Sequence, residues 1–347
     1  MADISNFTPF SCLTTGHVDA HGRHSRLVIV KGVWHLDTNR GSDKPSILAI
    51  REEPLTQRIG DLGLEDVQVQ AMHPYLEESI DWLPSDLSPP KPRFDFLVCG
   101  HAYPNSGEGK HQFAAGIVHP RHRVALVVCA PRYWKKTLLQ GGGGVPGEFL
   151  GEVTRVPVHP RFSYGGESAG GEDLYNPQGM GSPASLRGAS NASRNLDLVA
   201  LPWIEHPEHP VVDITRTPLP ASFGVWGENT AVRSCHYGTR DSVWQQQRAP
   251  LLPLDFNPLY YNQAEPRLQW PQPPQAGEAI ELHHLNRDGF ARIVWPAVQP
   301  QIFVDHRAGP SLACDTCLVV PDAGLYAIVW RCIVPTDGNL TLRVARA

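Results

Sequence analysis

Leu27-Val28-Ile29-Val30-Lys31-Gly32-Val33-Trp34 decides the fold class. Its apolar residues are mostly β-branched and follow one another without the gaps of a helix face, so the stretch reads as a strand buried on both sides. Ala125-Leu-Val-Val-Cys129 reads the same way. Further runs lie at 67–72, 94–99, 113–118, 279–285 and 325–334, each bounded by Gly, Pro, Asn or Asp. Asp95, His111 and Arg331 break their runs in the manner of half-exposed strands. The expectation is a mainly β protein: an antiparallel β-sandwich-like scaffold with long irregular loops and one or two short helices. The best helical segment is 239–247, where Thr239 or Asp241 caps the first turn and Pro250 stops propagation.

Around these strands the 347 residues include 31 glycines and 33 prolines, and charged residues make up 19%, below the roughly 25% usual in soluble domains. With 41% hydrophobic residues this is a turn-rich folded chain and not a disordered one. The net charge of -5 comes without any block of like charge, so neither nucleic acid nor an anionic membrane is an expected partner. No apolar run reaches the ~18 residues of a membrane span, and the first residues lack a basic and apolar leader, which points to the cytoplasm. Seven cysteines, an odd number scattered from Cys12 to Cys332, suit free thiols in a reducing compartment. The sequons at Asn6, Asn191 and Asn339 then have no role. Residues 84–92 are proline-rich and read as a stiff extended connection; 140–195 are rich in Gly and Ser and read as either a binding loop or a partly disordered segment. The chain divides into an N-terminal segment, 1–24, and a β domain, 25–347, whose lobes would be 25–139 and 196–347 joined by that loop.

Several patterns invite a catalytic reading. Gly166-Glu-Ser168-Ala-Gly170 has nucleophile-elbow spacing but lacks the preceding buried strand and following helix. Cys314-Asp-Thr-Cys317 has the spacing of half a zinc site, yet it runs straight into an apolar strand and reads as two buried thiols. Among 16 histidines the groups His17/His21/His24, His119/His122, His206/His209 and His283/His284 stand out, and none forms H-E-x-x-H. His206 and His209 fall in a proline-flanked segment that reads as extended, where their side chains need not converge; His283 and His284 on a strand point to opposite faces. The run 141–144 lacks the Lys-Ser/Thr of a phosphate loop. No cofactor and no metal are expected. Nine tryptophans and nine tyrosines are the stronger signal. Trp134, Trp203, Trp226, Trp244 and Trp270 flank turns, where aromatics serve as loop anchors or as interface contacts.

Three segments then occur in a telling order: Tyr237-Gly-Thr-Arg-Asp-Ser-Val-Trp244, Arg248-Ala-Pro-Leu-Leu-Pro253-Leu-Asp255-Phe256-Asn and Tyr261-Asn-Gln-Ala264-Glu-Pro266-Arg-Leu268-Gln. Together they resemble the central signature of the domain-of-unknown-function 2169 family of bacterial type VI secretion. Val30-Lys-Gly-Val-Trp-His-Leu is similar to the family's first strand, Gly100-His-Ala102-Tyr-Pro104 to its G-x-A-x-x-P element and Pro131-Arg132-Tyr-Trp134 to its G-D-R-x-W. Asn176-Pro177-Gln-Gly179-Met-Gly181 resembles N-P-x-G-x-G, Leu201-Pro-Trp-Ile-Glu205-His-Pro207 resembles L-P-N-I-E-x-P, and Pro321-Asp-Ala-Gly through Trp330-Arg331 resembles its closing hairpin. The likeness spans roughly residues 25–347. Trp203 replaces the family's Asn, and Pro160-Arg-Phe-Ser-Tyr-Gly-Gly166 replaces E-R-A-F-G-G.

The resemblance implies a type VI secretion adaptor or chaperone, not an enzyme. It would bind a secreted toxin effector, or that effector's PAAR-like part, in the cytoplasm and help load it onto the PAAR or VgrG spike protein. Tyr133, Trp134, Tyr164, Tyr175 and Trp203 are the expected partner contacts. Asn176, Pro177, Gly179, Glu205, Trp244, Asp255, Phe256 and Trp330 are the expected motif scaffold, with Trp244 packing its helix onto a sheet. The alternative is a metal- or serine-dependent hydrolase using the histidines and Ser168.

Overall fold

The strand His24–His35 pairs antiparallel with Ser11–Val18 on one side and Leu325–Val334 on the other. Val28, Ile29 and Val30 are fully buried. The structure is a computed structural model and describes residues 4–36, 48–105, 108–136, 144–166, 175–182 and 199–344. A six-stranded sheet runs in the order Gln269–Trp270, Phe94–Val98, Ala313–Val320, Leu325–Val334, His24–His35, Ser11–Val18. Its pairs are antiparallel except Phe94–Val98 with Ala313–Val320.

A five-stranded antiparallel sheet has the order Ile204–Glu205, His122–Cys129, Gln112–His119, Ala279–His283, Phe290–Val294. Its inward residues, among them Ile117, Leu126, Ile280 and Ile293, join Val28, Phe96, Leu318 and Ile328 of the larger sheet in one apolar core. Trp270 sits between the sheets, its ring stacked 5.1 Å from Phe96 and 4.6 Å from His122. This is a sandwich-like β architecture. A four-stranded sheet places Ile4–Asn6 parallel to Leu340–Val344 and continues to Pro300–Val304 and Arg307–Ala308. Residues 25–139 and 196–347 contribute strands to both large sheets.

Alternation on His24–His35 sends Val28, Val30 and Trp34 into the main core, and Leu27 and Ile29 into a smaller cluster with Val329 and Leu13. Lys31 and Arg331 lie on that second face, buried. The proline-rich connection 84–92 crosses it. Lys31 Nζ reaches Asp86 Oδ2 at 2.7 Å, while Arg331 donates to the Asp86 carbonyl from Nη2 at 3.0 Å and pairs with Asp315. Lys91 donates its main-chain N–H to Asp315 at 3.1 Å and its Nζ to Asp95 at 2.7 Å. Three cations and three carboxylates thus alternate along a buried chain that clamps the connector to the sheet. Each charge has its counter-charge and further hydrogen bonds, the condition under which buried ions are tolerated.

There are three α-helices among the described residues: α1 (Asp66–Met72), α2 (Ala231–Ser234) and α3 (Ser242–Gln247). The expected strand at 67–72 is instead α1. Val-Gln-Val-Gln alternates like a strand, but Glu65 and Gln68 form a capping box, and Gln68, Ala71 and Met72 bury one helical face. Helix α3 starts where Asp241 accepts the Trp244 N–H at 2.8 Å. No described helix is long and apolar enough to cross a membrane.

Candidate functional site

The segments singled out in the sequence are bonded to one another. Arg132 and Glu205, 73 residues apart, form a buried ion pair, and Glu205 also accepts the Val211 N–H at 3.3 Å. Burial pushes the Glu205 carboxyl up, against the pull of Arg132. His101 Nδ1 lies 2.7 Å from Asp322, and the Tyr103 hydroxyl donates to the same carboxylate at 2.6 Å. Burial acts to raise the Asp322 carboxyl, but the bonds from His101 and Tyr103 and the charge of Arg155 hold it below its ordinary value. Asp95 accepts from Asn262 Nδ2 and the Gln263 N–H, each at 2.8 Å. Asp255 takes both N–H and hydroxyl of Thr239, at 2.9 and 2.7 Å. The signature residues close loops over long sequence separations.

Asn176 has the same function within one loop. Its Nδ2 donates to the carbonyls of Pro160 at 2.7 Å and Tyr164 at 3.2 Å, and its own carbonyl accepts from Gly166 and Gly179, each at 3.0 Å. Gly165 (φ +153°) lies so close that a Cβ there would overlap the Asn176 oxygen. Arg161 donates to the carbonyls of Gln178 and Gly179 and reaches Glu78 at 3.0 Å. Asn176→Ala removes two buried hydrogen bonds and is expected to cost about 1–3 kcal/mol, measured by urea denaturation, while far-UV circular dichroism stays unchanged.

The expectation that Trp134, Tyr164 and Trp203 offer contact surface gives way to their burial. Trp134 is 1% exposed and donates its indole N–H to the Gly181 carbonyl at 2.8 Å. Trp203 is 0% exposed, stacks 5.2 Å from Phe162, and its main chain joins the Phe162 carbonyl to the Cys129 N–H. Tyr164 packs with Trp134 and Leu201. Trp134 and Trp203 are each roofed by a segment distant in sequence. Tyr133 is half-buried and Tyr175 is 40% exposed. Phe256 packs edge-on to Tyr260 and Trp330 is buried beside Phe10 and Trp34. Pro177 lines a groove of about 470 Å³ with Arg161, Tyr75 and Gly179.

Trp244 does not pack its helix onto a sheet. No residue of α3 is buried, and the Trp244 indole N–H donates to Leu251 O at 2.9 Å within the same excursion. Between 234 and 261 Pro253 is the one buried residue, yet the segment is densely cross-bonded. Arg240 stacks 3.6 Å over the Tyr237 ring, Tyr237 meets Tyr260 at 5.2 Å, and Tyr260 meets Tyr261 at 6.0 Å. Leu254 and Val243 stand 77% and 55% exposed. Burial pushes the Tyr260 phenol up to about 12, and Glu228 adds to the effect. Reading the signature only as scaffold missed this surface; the adjacent tyrosines amid charged and proline residues were its sequence signal.

Of the catalytic patterns, Ser168 lies outside the described residues. Cys314 and Cys317 are thiols on a strand of the six-stranded sheet. All seven cysteines are free, and burial raises the Cys99, Cys314, Cys317 and Cys332 thiols and pushes Cys129 up to about 12. His119 and His122 stack on Trp270, His119 bonding Glu278 at 3.2 Å. His206 and His209, expected on an extended segment, are brought together by a tight turn in which His209 N–H donates to His206 O at 3.1 Å.

A comparison with protein families finds that the model described as "Uncharacterized protein conserved in bacteria (DUF2169)" matches residues 21–331. No curated protein and no solved structure matches the chain.

Proposed function

Because the chain belongs to the DUF2169 family, we propose that it is a cytoplasmic adaptor of bacterial type VI secretion. It holds a toxin effector, or that effector's PAAR-like part, and helps load it onto the VgrG spike. The observation that supports this reading is the placement of the central signature. Its third segment is packed, with Asn262, Ala264 and Leu268 buried, but the first two, 237–244 and 248–257, form a surface excursion, held by Asp255, Trp244 and stacked tyrosines, that presents Tyr237, Arg240, Val243 and Leu254 to solvent. Aromatic and arginine side chains on a preorganised surface are the composition of interface hot spots, because little rotamer freedom remains to be lost on binding. Tyr175 belongs to the same side: its carbonyl accepts the Ala231 N–H of α2 at 3.1 Å, and α2 packs on 258–261.

The test is affinity capture of the tagged chain from its host with mass spectrometry of what co-purifies. A toxin or spike protein should be recovered with the native chain and lost with the double variant Val243→Asp/Leu254→Asp. The variant's melting temperature should match the native one, since both side chains are exposed. Equal recovery with both chains, or recovery of neither class of protein, would overturn the reading.

A further inference from the structure

His206-Pro207-Glu208-His209 follows directly on the strand Ile204–Glu205 at the edge of the five-stranded sheet. Pro207 presets the backbone for the second position of a turn, and the turn closes through the His209-to-His206 main-chain bond of 3.1 Å. First and last residues of such a turn face each other. The two imidazole rings are accordingly 5.0 Å apart between centroids. One ligand atom from each ring and one carboxylate oxygen of Glu208 all lie within 4.8 Å of one another.

We propose that His206, Glu208 and His209 form a binding site for a divalent transition-metal ion of the zinc type. Ligand atoms about 2.0–2.1 Å from a metal stand roughly 3.3 Å from each other in a tetrahedron, so the present spacing needs a small inward movement. The two exposed residues, Glu208 and His209, are free to make it, while His206, 7% exposed, supplies the fixed ligand. Two imidazoles and one carboxylate favour zinc, cobalt, nickel or copper over calcium and magnesium, which prefer all-oxygen sets.

The Glu208 N–H donates to His206 Nδ1 at 3.1 Å, which leaves the ring proton on Nε2. A metal at Nε2 moves that proton to Nδ1; a metal at Nδ1 displaces the Glu208 N–H. Either way the turn loses one hydrogen bond, which lowers the affinity by up to about tenfold. Three protein ligands leave a further coordination position open to solvent. The site is independent of the adaptor reading, and neither depends on the other.

The test is titration of the full-length chain, freed of any histidine tag, with cobalt(II) followed by visible absorption, and with zinc(II) followed by calorimetry. One equivalent should bind, with the intense cobalt bands of a four- or five-coordinate ion. His209→Ala should weaken binding by at least about tenfold and Glu208→Gln should weaken it as well, whereas His283→Ala should leave it unchanged. Both weakened variants alter exposed side chains, and an unchanged melting temperature confirms that they fold. Failure of the native chain to bind either ion at submillimolar concentration, or equal affinity in native chain and His209→Ala, would overturn the proposal.

Discussion

Replacing Asp315 by alanine is expected to lower stability by about 3–5 kcal/mol, read as a large shift of the urea midpoint. Asp315 is 2% exposed and faces Arg331, 1% exposed, on the covered side of the six-stranded sheet. It also accepts the Lys91 N–H and the Thr316 hydroxyl. The alanine variant therefore leaves a guanidinium in the interior with only the Asp86 carbonyl and the Thr316 hydroxyl as hydrogen-bond acceptors and no paired carboxylate, in a medium of low dielectric where an unpaired ion is costly. Asp315→Leu combined with Arg331→Met should recover most of the loss, since removing both charges removes the desolvation penalty along with the attraction. What it cannot recover is the pair of hydrogen bonds to the Asp86 carbonyl. If the double variant were as unstable as the single one, the network's worth would lie in its hydrogen bonds and not in its charge balance.

Trp203→Ala should cost a similar amount, about 3–5 kcal/mol, because the whole indole is buried against Phe162 and its removal leaves a cavity. Trp203→Phe separates packing from polarity. The indole N–H meets no acceptor among the described residues, so phenylalanine gives up part of the volume but also an unpaired donor, and its cost should be well under half that of alanine. Loss of partner recovery in Trp203→Ala, accompanied by this destabilisation, would then report on folding and not on contact.

The strands were legible where periodicity is unambiguous. Residues 27–34 and 325–334 have too many consecutive β-branched and aromatic residues to be anything but central strands, and they pair with each other. Residues 67–72 misled because Val67, Gln68, Val69 and Gln70 alternate with period two, and only the Glu65–Gln68 cap selects the helix. The motif residues could be recognised one by one through the family resemblance. Their pairings could not: nothing local announces that Arg132 meets Glu205 or that His101 meets Asp322, because contacts of that range are set by the sheet order. The same holds for Trp134 and Trp203, whose roofs come from 181 and 162, far from them in sequence. The His206–His209 turn lay within reach of Pro207, had the prolines been read as turn formers in place of extended-chain formers.

The pairing of His24–His35 with Leu325–Val334 also sets a clock. A ribosome adding roughly 5–20 residues per second needs about 15–60 s to pass from the first of these strands to the second. For that interval Val28, Ile29 and Val30, with Ser11–Val18 as their one available neighbour, and then Phe94–Val98, wait without the strand that completes their pairing. Every newly made copy therefore passes through a stage in which its most adhesive segments are bare. Yield in the cell is set as much by what shields those segments during synthesis as by the depth of the final energy minimum, and slowing translation, or depleting the holding factors that act on nascent chains, should send this protein into aggregates sooner than one whose strands pair with their immediate neighbours.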